Sequence, residues 1–504
     1  MRVTMNGAVW MAAPGGVLDV LVVGAGFAGI CAGKRLLDAG IDEFLIVEKS
    51  AGIGGTWWEN TYPGAACDVP SHLYCFSFAP NPEWSRKYSP RPEIQAYLAR
   101  CVDRFGLRKY LAHDRDLRRL EFLDERGLWR AHFADGQVID ARHVILGSGG
   151  LHEPKLPEIP GIESFSGRWM HSAQWQKGFN LNGLRVAIVG SAASAIQILP
   201  AIAPRVASAT LFQRTPNYIL PREDRAYSAR EKLLFRHVPG LLRLYRSFIF
   251  LRMDLLLYPI TREVSGLRGR ARRMMLRFMR TQVRDPSLHP KLTPDYEMGC
   301  KRILISDDFF ASFNRSNVEL VTTAISGIEE SGVRTRDGRL HEVDLIVYAT
   351  GFDLEGHMRD IDVRGPGGLS LAEQWSDIPA AYNGCCVPGM PNLYLVTGPN
   401  TGVGTTSIVF MIEQEVRYIL KCIRRAGRRH LLSVQPETFS RYNALLQQAL
   451  QHTVWASGCH SWYRREDGRI STLYPWSARR FWAQLRRFRR SDFELKQLPD
   501  HIKQ

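Results

Sequence analysis

No two of the nine cysteines stand in a CxxC arrangement, which removes the usual paired-cysteine zinc site and the redox-active dithiol. Their number is odd and their spacing scattered, so the sequence predicts free thiols in a reducing, cytoplasmic setting and no metal. An uncharged apolar run of the ~20 residues that a membrane-crossing helix requires is also missing. The most apolar stretch outside the glycine-rich start, Val238–Ile260, is interrupted by Arg243, Arg246, Arg252 and Asp254. A helix packed on its own protein is expected there, with a basic helix lying on a membrane surface as the lesser alternative. Met1–Gly16 holds no signal-peptide core and reads as a frayed tail. Acidic residues are short as well: 50 Asp and Glu face 66 Lys and Arg, a net charge of +16 over 504 residues. Such a balance suits a polyanion, whether a phosphorylated cofactor, a nucleic acid or an anionic surface. The six Arg between Ala478 and Arg490, interleaved with Phe481, Trp482, Leu485 and Phe488, come without a nucleic-acid recognition motif. They read as a surface helix whose Arg stems cover apolar surface, and no nucleic-acid partner is expected.

What is present is an ordinary folded composition, 45% hydrophobic and 23% charged, long enough for two or three domains. Leu18–Val23, Val186–Val189 and Leu345–Ala349 are short, continuously apolar runs ending at Gly or Thr-Gly, as expected of parallel strands covered on both faces. The first leads into Gly24-Ala-Gly26-Phe-Ala-Gly29 and then a helical pattern. In this GxGxxG, Gly24 permits a tight turn, Gly26 lets the backbone approach a pyrophosphate, and Gly29 lets the helix pack on the strand. Glu48 ends the following strand, where an acid binds ribose hydroxyls and disfavours a 2′-phosphate. FAD or NAD is therefore expected at this unit. About 165 residues later the pattern recurs as Gly190-Ser191-Ala192-Ala-Ser194-Ala195. Ala192 replaces the middle glycine, and Arg214, not an acid, follows the next strand. A guanidinium suits the 2′-phosphate of NADP. Arg222–Pro294 is Arg- and Leu-rich with helical spacing and is read as a helical insertion.

Phe165-Ser-Gly167-Arg-Trp-Met-His171-Ser-Ala-Gln-Trp175 reads FxGxxxHxxxW, followed by Gln176 where Pro or Asp is the rule. With it the chain resembles the type I Baeyer–Villiger monooxygenases, within the flavin-containing monooxygenases. The resemblance covers most of the chain. It includes Gly54-Gly55-Thr56-Trp57-Trp58, Tyr62-Pro63-Gly64-Ala-Ala66-Cys67-Asp68, Phe212-Gln-Arg214-Thr215-Pro216-Asn217, Gly299-Cys300-Lys301-Arg302, Ala349-Thr350-Gly351-Phe352, Gly398-Pro399-Asn400 and Ser461-Trp462-Tyr463. It implies an α/β fold with two Rossmann-like dinucleotide-binding domains, one for FAD and one for NADP, and a helical subdomain inserted in the NADP domain. The FAD domain would comprise residues 1–155 and 384–504, the NADP domain 156–221 and 295–383 including the linker, and the helical subdomain 222–294. Gly24, Gly26, Gly29, Glu48, Gly55, Thr56, Trp57, Tyr74 and Gly398 would hold FAD; Gly190, Ser191, Ser194, Arg214, Thr215 and Lys301 would hold NADPH, and Asp68 would orient its nicotinamide. Reduced flavin would take O2, and its C4a-peroxide would attack a ketone to give an ester or lactone. Arg302 would be the catalytic cation and Asp68 the carboxylate that orients it. His171 would be a linker residue, and Trp57, Trp58, Tyr62 and Trp462 would line the flavin and substrate cavity. Ala66, Ala192 and Gln176 depart from the family pattern. They keep open an N- or S-oxygenase and, in another class, a non-catalytic flavin-binding protein.

Overall fold

The computed structural model describes residues 2–5, 8–11, 16–150, 153–262, 266–353, 361–459, 463–465 and 467–498; Ser461 and Trp462 lie outside them. Two sheets organise these residues. The larger has eight strands. Its parallel part runs Leu111–Ala112, Phe44–Val47, Val17–Val23, Val138–Leu146, with Leu393–Leu395 paired to the end of the last. An antiparallel extension continues through Leu128–Phe133 and Leu117–Leu123 to Asp362–Arg364, which is parallel to its neighbour. Returning strands from beyond residue 360 thus complete a sheet begun at residue 17, so this layer is discontinuous in sequence. The chain re-enters it at Asp362, ahead of residue 384. The second sheet is wholly parallel, in the order Val318–Val321, Ser208–Phe212, Arg185–Val189, Leu345–Tyr348, Arg168–His171. Phe44–Val47 and Leu345–Tyr348 are buried at every position, as continuous apolar runs in two-sided sheets require.

Each sheet carries the helix its glycine-rich turn announces: α1 (Phe27–Asp38) after the first strand of the larger sheet. Helix α2 (Thr56–Glu59) and helix α3 (Arg91–Arg104) follow in the same layer. Helix α4 (Ala195–Ile202) leaves the central strand of the second sheet. The Arg-rich insertion forms α5 (Ala229–His237), α6 (Leu241–Leu256) and α7 (Gly266–Gln282). These helices share no core of their own among the described residues. Ile249, with Phe235, Tyr245 and Phe250 around it, packs into the core of the larger sheet, whereas Met275 and Met279 of α7 belong to the core of the second. No described helix is long and apolar enough to cross a membrane, and no described cluster of His, Cys, Asp or Glu could hold a metal ion.

Two expectations are corrected. Arg2–Met5 pairs antiparallel with Ala8–Met11, so this part of the N-terminus forms a hairpin instead of fraying. The cysteines are not all free. Cys300 and Cys459 form a disulfide with their Cα atoms 6.3 Å apart, and the other seven are buried thiols. Partners 159 residues apart leave no local spacing by which a sequence reveals them.

Candidate functional site

Gly24 and Gly190 end equivalent strands with φ of +98° and +110°. A Cβ on either would come within 2.6 or 2.5 Å of the carbonyl oxygen of Gly147 or Ala349, respectively, which closes the neighbouring strand. Only glycine fits such a turn. A Cβ on Gly29 would overlap the Gly24 carbonyl oxygen, so α1 lies directly on the turn. Gly26 differs: a Cβ there meets nothing closer than the Gly55 Cα at 3.7 Å. Gly55 in turn has φ of +53°, and its own Cβ would sit 3.3 Å from the Gly26 Cα. The two glycines face each other across a slot free of side chains at the N-terminus of α1, a cradle that fits a pyrophosphate. Glu48 is buried beside it. Its Oε2 accepts the Ala25 N–H at 2.7 Å and its Oε1 the Ser50 N–H at 2.8 Å, which fixes the carboxylate and leaves lone pairs for ribose hydroxyls. Arg91 donates to the carbonyls of Trp57 and Trp58 at 2.7 and 3.1 Å, and Trp57 Nε1 donates to the Tyr74 hydroxyl at 3.1 Å. Thr56 opens α2 with them, and Gly398 follows the C-terminal strand Leu393–Leu395 of the same sheet.

The second unit is more open. Helix α4 begins only at Ala195, with Ser194 before it making no side-chain cap, and Ala192 is exposed in the turn ahead of them. Ser191 Oγ donates to the Thr215 carbonyl at 2.9 Å, and Asn217 Nδ2 donates to the Ser191 carbonyl at 2.9 Å, so the two loops at the strand ends form one rim. Arg214 and Lys301 stand close enough on that rim that Arg214 lowers the Lys301 pKa, second only to partial burial of the ammonium. Neither has a carboxylate partner among the described residues. The Lys301 ammonium lies 4.6 Å from the centre of the Tyr296 ring. Asp295 offsets part of this shift on Lys301, and two cations held together with no salt bridge to either among the described residues fit a phosphate dianion.

A charged pair joins the two units. Arg302 Nη2 donates to Asp68 Oδ2 at 2.5 Å across 234 residues of sequence. The pair sits in a recess, yet 42% of the Arg302 side-chain surface is exposed to water. The carboxylate of Asp68 drives the Arg302 pKa up, burial opposes this, and the hydroxyl of Tyr463 adds to the rise; burial carries the Tyr463 phenol to about 12. The guanidinium is therefore charged at every working pH. Cys300, two residues before Arg302, is fully buried against Leu446, Leu450 and Trp455. Its disulfide to Cys459 clamps the segment carrying Lys301 and Arg302 to the C-terminal region. Sequence reasoning missed that clamp. It also missed Gln197, on α4, which holds the flavin-side loop. Tyr62 donates its hydroxyl to Gln197 Oε1 at 3.1 Å, and Gln197 Nε2 donates to the Ala66 carbonyl at 2.9 Å. A Cβ on Gly64 would overlap the Gln197 carbonyl oxygen. The Gly64 in Tyr-Pro-Gly was the available signal. His171, fully buried at the edge of the second sheet, accepts the Ala173 N–H on Nδ1 at 3.1 Å and meets the Phe352 ring edge-on at 5.9 Å. Trp175 packs in the core of the second sheet while its carbonyl accepts the Thr61 hydroxyl at 3.2 Å. The FxGxxxHxxxW segment therefore touches the 350–352 linker and the flavin-side loop together. An open groove of about 580 Å³ lies elsewhere; Arg35, Arg417, Lys421 and Trp482 line it, and no motif residue does.

This arrangement has known counterparts. The family model for flavin-binding monooxygenase-like proteins matches residues 18–360. The chain belongs to that family. A Baeyer–Villiger monooxygenase of Pseudomonas aeruginosa is 40% identical over 486 residues, 95% of this chain and 92% of that protein. One of Streptomyces coelicolor is 39% identical, over 94% and 92%. Among solved structures, the closed form of cyclohexanone monooxygenase superposes with a TM-score of 0.87 at 28% identity, covering 96% of this chain and 99% of that one. An oxidised steroid monooxygenase bound to NADP gives 0.84 at 29%, covering 95% and 99%. The flavin-binding monooxygenase-like chain thus has two Rossmann-like sheets arranged as in these relatives.

Proposed function

We propose that the chain is an FAD-containing, NADPH-dependent Baeyer–Villiger monooxygenase, converting a ketone, O2, NADPH and a proton to an ester or lactone, NADP+ and water. The observation that carries this reading is the Asp68–Arg302 pair, a permanent cation pinned at the junction of two dinucleotide units. FAD, when bound, supplies the oxygen-activating chemistry, and NADPH the electrons. The chain's residues do the binding and the electrostatics. Gly24, Gly26, Gly29 and Gly55 let backbone approach the FAD pyrophosphate, Glu48 accepts ribose hydroxyls, and Thr56, Trp57, Tyr74 and Gly398 surround the rest. Gly190, Ser191, Ser194 and Thr215 receive NADPH, whose 2′-phosphate Arg214 and Lys301 grip. Arg302 holds positive charge beside the oxygen that is transferred, which stabilises negative charge there without itself being able to lose a proton. Asp68 fixes the guanidinium in place. An N- or S-oxygenase would have less use for that cation, because soft nucleophiles attack a protonated, uncharged oxygen donor.

Arg302→Ala tests the reading. Ester formation from cyclohexanone, the compound named in the solved relatives, should fall by about 10²–10³ while NADPH oxidation continues. Unchanged ester formation in the variant contradicts it.

A further inference from the structure

The outer surface of α5 and α6 is apolar, and nothing among the described residues covers it. Leu244, Phe248, Leu251 and Leu255 recur at spacings of four, three and four, hence on one helix face. That face points outward, with 70, 58, 42 and 53% of each residue exposed. The opposite face is already used. Leu242 and Ile249 are buried, and Arg246 Nη1 donates to the carbonyls of His72 and Cys75 at 2.8 and 2.9 Å, which fixes the rotation of α6. The exposed stripe is therefore not a core face turned the wrong way. Leu233, Leu234 and Val238 extend it along α5. Eight of the 15 large hydrophobic side chains exposed among the described residues fall between positions 233 and 256. A patch this concentrated marks a surface made for contact.

Charge indicates what it contacts. Residues 229–256, which span these two helices, contain six Lys and Arg against two Asp and Glu. At 100° per residue, Arg243 and Arg252 lie on either flank of the stripe, both exposed and without a carboxylate partner among the described residues. A second copy of the chain is a poor occupant, because a two-fold contact would bring each cationic patch against itself. An anionic bilayer complements both features: apolar side chains enter the boundary between headgroups and acyl chains, and the flanking guanidiniums meet phosphates. We propose that the outer face of α5 and α6 docks the protein on an anionic phospholipid surface, lying in the interface without crossing it.

The test is flotation of the full-length, FAD-loaded protein with vesicles of phosphatidylcholine alone or with about one third phosphatidylglycerol. Wild type should float with the anionic vesicles, float poorly with the neutral ones, and be released as salt rises from about 0.1 to 0.5 M. Phe248→Glu with Leu251→Glu, both exposed and away from the catalytic pair, should cut binding at least about tenfold while keeping the visible flavin spectrum. Arg243→Gln with Arg252→Gln should weaken binding to anionic vesicles only. Failure of the wild type to float, equal flotation of the Glu variant, or equal binding to both vesicle types overturns the proposal. So does a wild-type dimer that the Glu variant converts to monomer when neither floats, since the face would then be an interface between copies.

Discussion

The two glycine-rich units start identically and end differently. Each closes a buried parallel strand with a glycine at strongly positive φ, pressed against the carbonyl that ends the next strand, Gly147 in one and Ala349 in the other. The backbone problem is one problem with one solution. Beyond it, the first unit starts α1 at once, at Phe27, with no side chain on Gly26 or Gly55 and a buried acid at Glu48. The second delays α4 to Ala195, exposes the Ala192 methyl, and places Arg214 and Lys301 where the first has its acid. Close backbone contact dominates one unit and charge the other. A substitution that adds a methyl should therefore ruin the first, while one that removes a charge should damage the second.

The sharpest test of that difference is at the third position of each fingerprint. Gly29→Ala should yield no FAD-loaded protein, because its Cβ has no room against Gly24. Ala195→Gly, the reverse change in the second unit, should cost about 1 kcal/mol, the penalty for glycine in a helix, read as a small fall in Tm. Next in size is the clamp. Removing the Cys300–Cys459 disulfide by Cys300→Ser should lower unfolding free energy by about 2–4 kcal/mol, with NADPH binding weakened more than FAD content because the freed segment carries Lys301. Arg214→Ala or Lys301→Ala should raise KM for NADPH about tenfold to a hundredfold, the worth of a charge-assisted hydrogen bond, and leave FAD content and the use of NADH unchanged. A rise of equal size for NADH would mean that these cations do not read the 2′-phosphate. Ala192→Gly should lower KM for NADPH only a few-fold, since an exposed methyl yields to the ligand more readily than a buried one.

Acid–base behaviour separates the units too. Glu415 is fully buried beside the Gly398 segment, accepts the Thr397 N–H on Oε2 at 3.0 Å, and has no partner for Oε1 among the described residues. Burial lifts its pKa from 4.5 to about 8. The folded state thus binds the proton more tightly than the unfolded chain, so the contribution of Glu415 to stability is greatest below pH 4.5. It falls as pH rises towards about 8 and is level above that. Glu415→Gln should flatten this slope in a pH series of thermal melts. In the second unit the lowered Lys301 pKa predicts that NADPH affinity weakens at lower pH than an ordinary lysine would impose.

Much of this was legible in the sequence, for identifiable reasons. Continuous apolar runs ending at glycine marked the strands that the sheets contain, because two-sided burial leaves no other pattern. Asp68 and Arg302 could be paired across 234 residues only through the family resemblance, since spacing carries no information at that range. The Cys300–Cys459 bridge and the Gln197 contact to Ala66 were out of reach for the same reason. Periodicity announced α6 but not its orientation. With Leu242 and Ile249 on one face and Leu244 and Phe248 on the other, the helix is apolar on both sides, and only the anchoring of Arg246 decides which side meets water. The expected helix packed on its own protein is therefore correct for one face and not for the other.

The most direct measurement is to reduce the purified flavoprotein with NADPH in the absence of air, then admit O2 together with a ketone, and count ester formed per NADPH consumed. The account predicts that the visible flavin band bleaches with NADPH and that the ratio approaches one ester per NADPH. A flavin that keeps its colour would contradict it, because the second unit would then hold no NADPH despite Arg214 and Lys301.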